Sequence, residues 1–223
     1  HFFKIKMCGI TGFNSRNFNK NDLVQMTNAL SHRGPDASGY FFDQDKGIAI
    51  GHRRLSILDL SDAANQPMTS HCGRYKIVFN GEVYNFRDIA NSLKNTNWKT
   101  NSDTEVILEA YAKWGISFVQ ELNGMYAIAI YDKFKNKLVI FRDRMGIKPI
   151  YYFFDKNDFI FASEVKSICT VKKQNKLNHK SIYSYLHLGY IPNNDTIYEK
   201  ILKIPPGSYL EYSNQKINIK AYW

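Results

Sequence analysis

Apolar residues recur at helical spacing in a few stretches of the chain and at strand spacing through most of the remainder. Leu23, Val24, Met26, Ala29 and Leu30 follow the 3.6-residue period and predict a first helix over 21–30, with Asn21 or Asp22 placed to cap it. A second helix is predicted over 86–93. A third covers 104–114, where Val106, Ile107, Ala110, Tyr111 and Trp114 follow the capping-box sequence Ser102-Asp103-Thr104-Glu105 and precede Gly115 as the stop. A last helix is predicted over 178–188, ended by Gly189 and Pro192. Runs at 9–13, 40–42, 48–50, 125–131, 137–142, 150–154 and 159–162 read as strands, and 204–210 with 217–223 read as a closing hairpin around 213–215. Polar turns at 132–136 and 155–158 are too short for a parallel crossover, so the strands they join are antiparallel. Antiparallel strands in two groups, with amphipathic helices, predict an α+β fold: a layered sandwich.

Composition narrows the classes. The 223 residues suffice for one good core, and no run approaches the roughly 18 apolar residues of a membrane span. The net charge of +10 is spread over lysines scattered along the chain, which reads as a solvated basic surface and not as a nucleic-acid site. Three cysteines without framework spacing predict a reducing, cytoplasmic setting. With six histidines they show no zinc-ligand pattern, so no metal is expected. Cys169, in the short helical run after Val165, reads as core.

Four places carry candidate chemistry, each with a plainer alternative. Cys8 directly follows Met7. Freed at its nitrogen, it would combine a thiol with an α-amine that titrates at about 7.7–8.0 and takes up the thiol proton near neutral pH. The alternative is a small buried residue on a core strand. Asn80-Gly81, between 76–79 and 82–84, has the form of a type I′ hairpin turn. The same pair can instead aim a side-chain amide and a backbone N–H at one oxyanion. Arg54 is either one of thirty Lys and Arg or a bidentate clamp for a carboxylate. Asp103 either complements a helix dipole or receives an ammonium group. His71-Cys72 does not make a nucleophile pair, because neighbours on an extended strand point to opposite faces. The basic loop 142–149 matches neither a phosphate loop nor a dinucleotide fingerprint and reads as structural.

Cys8-Gly9-Ile10, His32-Arg33-Gly34-Pro35-Asp36, Arg54-Leu55-Ser56-Ile57, Gln66-Pro67 and Asn80-Gly81-Glu82-Val83-Tyr84-Asn85 stand in an order that resembles a known family. Ser102-Asp103-Thr104-Glu105, Asn123-Gly124-Met125-Tyr126-Ala127, the loop Arg142-Asp143-Arg144-Met145-Gly146-Ile147-Lys148-Pro149 and Ser163-Glu164-Val165-Lys166 continue the match. The resemblance is to the glutaminase domain of glutamine-dependent asparagine synthetases, which are class II glutamine amidotransferases of the N-terminal-nucleophile hydrolase type. It implies a four-layer αββα sandwich over 8–223, with 1–7 a removed leader or an artefactual extension. The part from about 176 to 223 would lead to an ATP-dependent synthetase domain that this chain lacks. By the same resemblance Cys8 is the nucleophile, and Asn80 and Gly81 hold the oxyanion. Arg54, with the backbone of Leu55, Ser56, Ile57 and Leu58, binds the glutamine carboxylate. Asp103, with the backbone around Glu82, meets its amine. L-Glutamine and the chain's own synthetase domain are the implied partners, a homodimer is compatible, and ATP and Mg are expected only in the absent domain. Two alternatives stay open. One is the glutaminase part of another class II amidotransferase, such as one amidating a sugar acid. The other is an unprocessed, non-catalytic module, since with Met7 attached the Cys8 nitrogen is an amide.

Overall fold

The computed structural model describes residues 7–56, 61–94, 96–173 and 175–223. The chain opens with strand β1 (Gly9–Asn14), helix α1 (Lys20–Asn28) and strands β2 (Ala37–Asp43), β3 (Ile48–Arg54), β4 (Met68–Thr69) and β5 (Tyr75–Val83). Helices α2 (Phe86–Ser92) and α3 (Asp103–Trp114) follow, then β6 (Gly124–Asp132), β7 (Lys137–Arg142), β8 (Tyr151–Phe154) and β9 (Phe159–Ala162). Helices α4 (Val165–Cys169) and α5 (His179–Leu188) precede β10 (Ile201–Lys203), β11 (Ser208–Ser213) and β12 (Lys216–Ala221). The strands form two six-stranded sheets, β10-β8-β9-β1-β3-β2 and β12-β11-β7-β6-β5-β4, antiparallel at every pairing.

Strand alternation builds the layers. On β5, Ile77 and Phe79 enter a core shared with Val106, Ile107 and Tyr111 of α3, while Val78 faces the other way. Val78 joins Ile10, Ile48, Ile50, Ala129 and Ile140 in a core between the two sheets. Beneath the first sheet, Phe13, Ala49 and Ile160 meet Leu23 and Met26 of α1 and Ile168 of α4. Helix, sheet, sheet, helix is the four-layer αββα sandwich. Helix α5 covers little: Tyr183 is 72% and Leu186 78% exposed. No helix among the described residues is long and apolar enough to cross a membrane.

Several local expectations need correction. Asn80-Gly81 makes no turn; both residues lie inside the unbroken strand β5, opposite Ala127 and Tyr126. The turn with positive φ at both central residues is at Asn214 and Gln215, between β11 and β12. The cap of α1 is Asn19, ahead of the expected Asn21 or Asp22, and its capping box is closed by Asp22. Ser102 caps α3 by accepting from Glu105 N, but the Glu105 carboxylate turns away to Lys99, Thr100 and His71. His71 and Cys72 sit in a turn and not on a strand; His71 Nε2 meets Glu105, while Cys72 Sγ meets Ser70 Oγ.

Candidate active site

The alternation that fills the inter-sheet core also gathers the reactive side chains. Counting in twos, Cys8 shares a face with Ile10, His52 and Arg54 share one with Ile48 and Ile50, and Asn80 shares one with Val78. All three faces look into the space between the sheets. Gly9 is paired with Arg53, so Cys8 comes opposite Arg54 at the end of the ladder. Leu55 N donates to Cys8 Sγ at 3.3 Å. Cys8, His52, Arg54, Phe79, Gly81 and Asp103 line a common cleft.

The edge of β5 supplies this cleft with donors. Tyr126 spends its backbone N–H and C=O on Asp143, so the Gly81–Tyr126 pair exchanges no ladder bonds. The polar backbone groups of Phe79, Gly81 and Val83 therefore point away from β6. Those of Phe79 are taken up by Gln66 Oε1, which accepts from its N–H at 2.6 Å, and by His52 Nε2, which donates to its C=O at 3.1 Å. Val83 N donates to Asp103 Oδ2 at 3.1 Å. The Gly81 N–H between them meets no side-chain acceptor among the described residues. Glycine is required here, since a Cβ would lie 2.3 Å from the Met125 carbonyl oxygen. Beside it the Asn80 amide is buried, and its Nδ2 has no hydrogen-bond partner among the described residues. A buried donor without a partner is costly in an empty site and marks a place for an acceptor.

Charge is arranged around the thiol in both signs. Burial pushes the Cys8 thiol above its ordinary value, with the Leu55 N–H and the charges of Arg54 and Arg33 pulling the other way and Asp103 adding to the rise. The thiol therefore does not ionise unaided at neutral pH. Arg54 is buried and held by the Ser61 carbonyl at 2.9 Å and Asn65 Oδ1 at 2.7 Å. Burial, partly offset by the Val83 and Thr104 N–H groups, raises Asp103 to about 6, and nearby Glu82 adds to the rise. His52, fully buried, is lowered to about 3 and is neutral, with Nε2 carrying the proton it donates to Phe79. No cluster of His, Cys, Asp and Glu among the described residues could hold a metal ion.

The remaining motifs are the frame of this site. Arg33 Nε donates to the Cys8 carbonyl at 2.9 Å, and its guanidinium also binds Glu164, as His32 does. Asp36 N donates to the Arg54 carbonyl, and Asp36 Oδ2 accepts from Ser56 N at 2.8 Å. Ser163 extends the β1–β9 pairing by bonding Ile10 with both its backbone N–H and its hydroxyl. In the loop 142–149, Asp143 accepts from the N–H groups of Ile147 and Lys148, and Arg142 reaches the Gly146, Lys148 and Ile204 carbonyls. Those N–H groups are committed to a carboxylate, so the loop does not fit a nucleotide phosphate.

Of the residues proposed from sequence, Cys8, Arg54, Leu55, Gly81 and Asp103 line the cleft, and Asn80 adjoins it within β5. Ser56 is anchored beside it by Asp36, and Glu82 acts there through its charge. Ile57 and Leu58 lie outside the described residues. His52, Gln66, Ser102 and Thr104 also line the cleft and were missed as contributors. For His52 a signal existed, its period-two spacing from Ile48 and Ile50.

With the geometry in view, residues 7–223 match the model of a family described as a glutamine amidotransferase domain. The chain belongs to the glutamine amidotransferase domain family. A Methanocaldococcus jannaschii protein assigned as a glutamine-hydrolysing asparagine synthetase is 39% identical, over 97% of this chain and 46% of its own length. Asparagine synthetase 2 of Bacillus subtilis, also glutamine-hydrolysing, is 38% identical over 97% of this chain and 30% of its own length. The chain thus spans less than half the length of these family relatives. Glutamine phosphoribosylpyrophosphate amidotransferase of Bacillus subtilis has the same fold, with a TM-score of 0.71 over 97% of this chain and 49% of its own at 17% identity.

Proposed function

We propose that this domain, with Cys8 as its first residue, hydrolyses L-glutamine to glutamate and ammonia. The observation that carries the reading is the unpartnered Asn80 Nδ2, buried next to Gly81 in the cleft that Cys8 lines. The raised thiol needs a base, and a free α-amine on the same residue is one. The amine takes the thiol proton as sulfur bonds to the side-chain amide carbon of glutamine. Asn80 and Gly81 then receive the negative charge on the amide oxygen. The proton passes to the departing nitrogen, ammonia leaves, and a thioester remains. Water, deprotonated by the same amine, cleaves the thioester to glutamate and restores the thiol. Arg54, immobilised by Ser61 and Asn65, offers a planar cation to the α-carboxylate, and Asp103 an anion to the α-ammonium.

Asp103 gives this reading a pH signature. The α-ammonium is attracted to the ionised carboxylate, and burial places that ionisation near 6 in the empty site. Protonation below that value removes the attraction, so affinity rises with pH through about 6 and is flat above it. In the Cys8→Ala protein, which binds without turnover and has no thiol to titrate, the glutamine Kd is expected to weaken about tenfold per pH unit below about 6. Calorimetric titrations at pH 5 and pH 7 check this; equal affinities would remove Asp103 from the ammonium site. For folding the sign is opposite. Above 6 the buried ionised carboxylate costs stability, which the bound ammonium would relieve.

For the whole protein, we infer that the ammonia amidates aspartate in an ATP- and Mg-dependent synthetase domain, as the names of the relatives suggest. The exposed Tyr183 and Leu186 of α5 support a following domain packed against this one. A cytoplasmic location accords with three unpaired cysteines.

A further inference from the structure

Lys148 is a buried cation that the chemistry above does not use. It is 7% exposed, and its backbone is fixed on both sides, its N–H donating to Asp143 Oδ2 at 2.9 Å and its C=O accepting from Arg142 Nε at 3.1 Å. Its ammonium group donates to Met7 Sδ at 3.4 Å, and no carboxylate lies within ion-pair distance among the described residues. A thioether is a poor partner for a desolvated ammonium, so packing alone does not account for a lysine here. The contact falls on the residue joined to the nucleophile. Met7 N donates to the Arg33 carbonyl at 3.0 Å, while Arg33 Nε donates to the Cys8 carbonyl. The Lys148 ammonium thus meets the side chain before, and the Arg33 guanidinium the carbonyl after, the Cys8 nitrogen that becomes the catalytic amine when Cys8 is first in the chain.

We propose that Lys148 is a positioning residue that, with Arg33, keeps the Cys8 α-amine unprotonated and ready to act as base at neutral pH. A like charge nearby disfavours protonation of an amine, by about one to three pH units at short range. The burial that holds the Lys148 ammonium below its ordinary value keeps the surroundings poorly screened, with Arg33 acting in the same direction. Other charges face the same region: Glu82 from β5, Asp103 from α3, Arg54 from β3 and Asp143 from the loop. Asp143 is engaged by the Tyr126, Ile147 and Lys148 N–H groups, and Glu164 by Arg33 and His32, so these anions oppose Lys148 only in part.

The inference rests on the glutaminase reading, and its test separates the two. In the chain beginning at Cys8 and labelled there with ¹⁵N, the amine is titrated by NMR in wild type, K148M and K148R. The K148M midpoint is expected to rise by about one pH unit and the K148R midpoint to stay within a few tenths of wild type. The acid limb of kcat/KM for glutamine moves by the same amount. K148Q carries the test if melting curves show K148M unfolded. An unchanged amine midpoint in a folded, uncharged variant overturns the role of Lys148. A shifted midpoint without glutamine turnover in any of the proteins upholds it and instead removes the glutaminase reading.

Discussion

Replacing Cys8 with alanine in a chain that starts at residue 8 is expected to lower glutamine turnover by about 10⁴-fold or more. The substitution removes the nucleophile and leaves the α-amine with no thiol to deprotonate, so no second group takes over the attack. The fold should persist, because the polar contacts of Sγ are confined to the Leu55 backbone and β1 is held by its pairing with β3 and β9. Glutamine binding should persist as well, since Arg54 and Asp103 are untouched. Cys8→Ser keeps the amine but offers a far weaker nucleophile, and is expected to retain only traces of activity. The wild-type sequence with Met7 attached belongs with these variants, because an amide nitrogen takes up no proton. Ammonia release, with melting temperature and calorimetric affinity as controls, checks all three. Substantial turnover by Cys8→Ala would end the account.

Asn80→Ala carries the second large effect, a loss of about 10²–10³ in kcat, or about 3–4 kcal/mol of transition-state stabilisation. KM should change little, because the oxyanion exists only after attack. The variant tests the oxyanion role of Asn80 directly. Nδ2 has no partner in the empty site, so its removal breaks no bond among the described residues and little stability should be lost. A raised KM with unchanged kcat would instead make Asn80 a ground-state contact. Gly81 is unsuitable for the parallel test, since any Cβ there collides with β6 before it affects chemistry.

Much of this site is written in alternation. Ile10 and Cys8, Ile50 with His52 and Arg54, and Val78 and Asn80 are period-two neighbours on strands whose apolar members are buried between the sheets. The resemblance to glutaminase domains added the roles. What the sequence hides is register and long-range partnering. Gln66 is unremarkable as a glutamine, yet it binds Phe79 N and Thr104 Oγ1, which are 13 and 38 residues away. Asn80-Gly81 has the local form of a turn and is overridden by pairing to β6 along the whole of β5. Locally the pair favours left-handed backbone; in the fold, glycine serves instead to let the Met125 carbonyl approach. His32-Arg33-Gly34-Pro35-Asp36 is legible as a loop, but its work lies in bonds to Cys8, Ser56 and Glu164 at distant points in the chain. The cap expected at Asn21 or Asp22 falls instead on Asn19, a neighbour of equal capping power, an ambiguity that propensity does not resolve.

The central claim is that Cys8, once first in the chain, is the nucleophile. Intact mass and N-terminal sequencing of the natural protein, followed by reaction with a diazo-ketone analogue of glutamine and mapping of the adduct, test it most directly. The account predicts a chain beginning at Cys8 that gains one adduct, on Cys8, with free glutamine protecting it. A chain that retains Met7, or an adduct on Cys72 or Cys169, would contradict the account and leave only the fold.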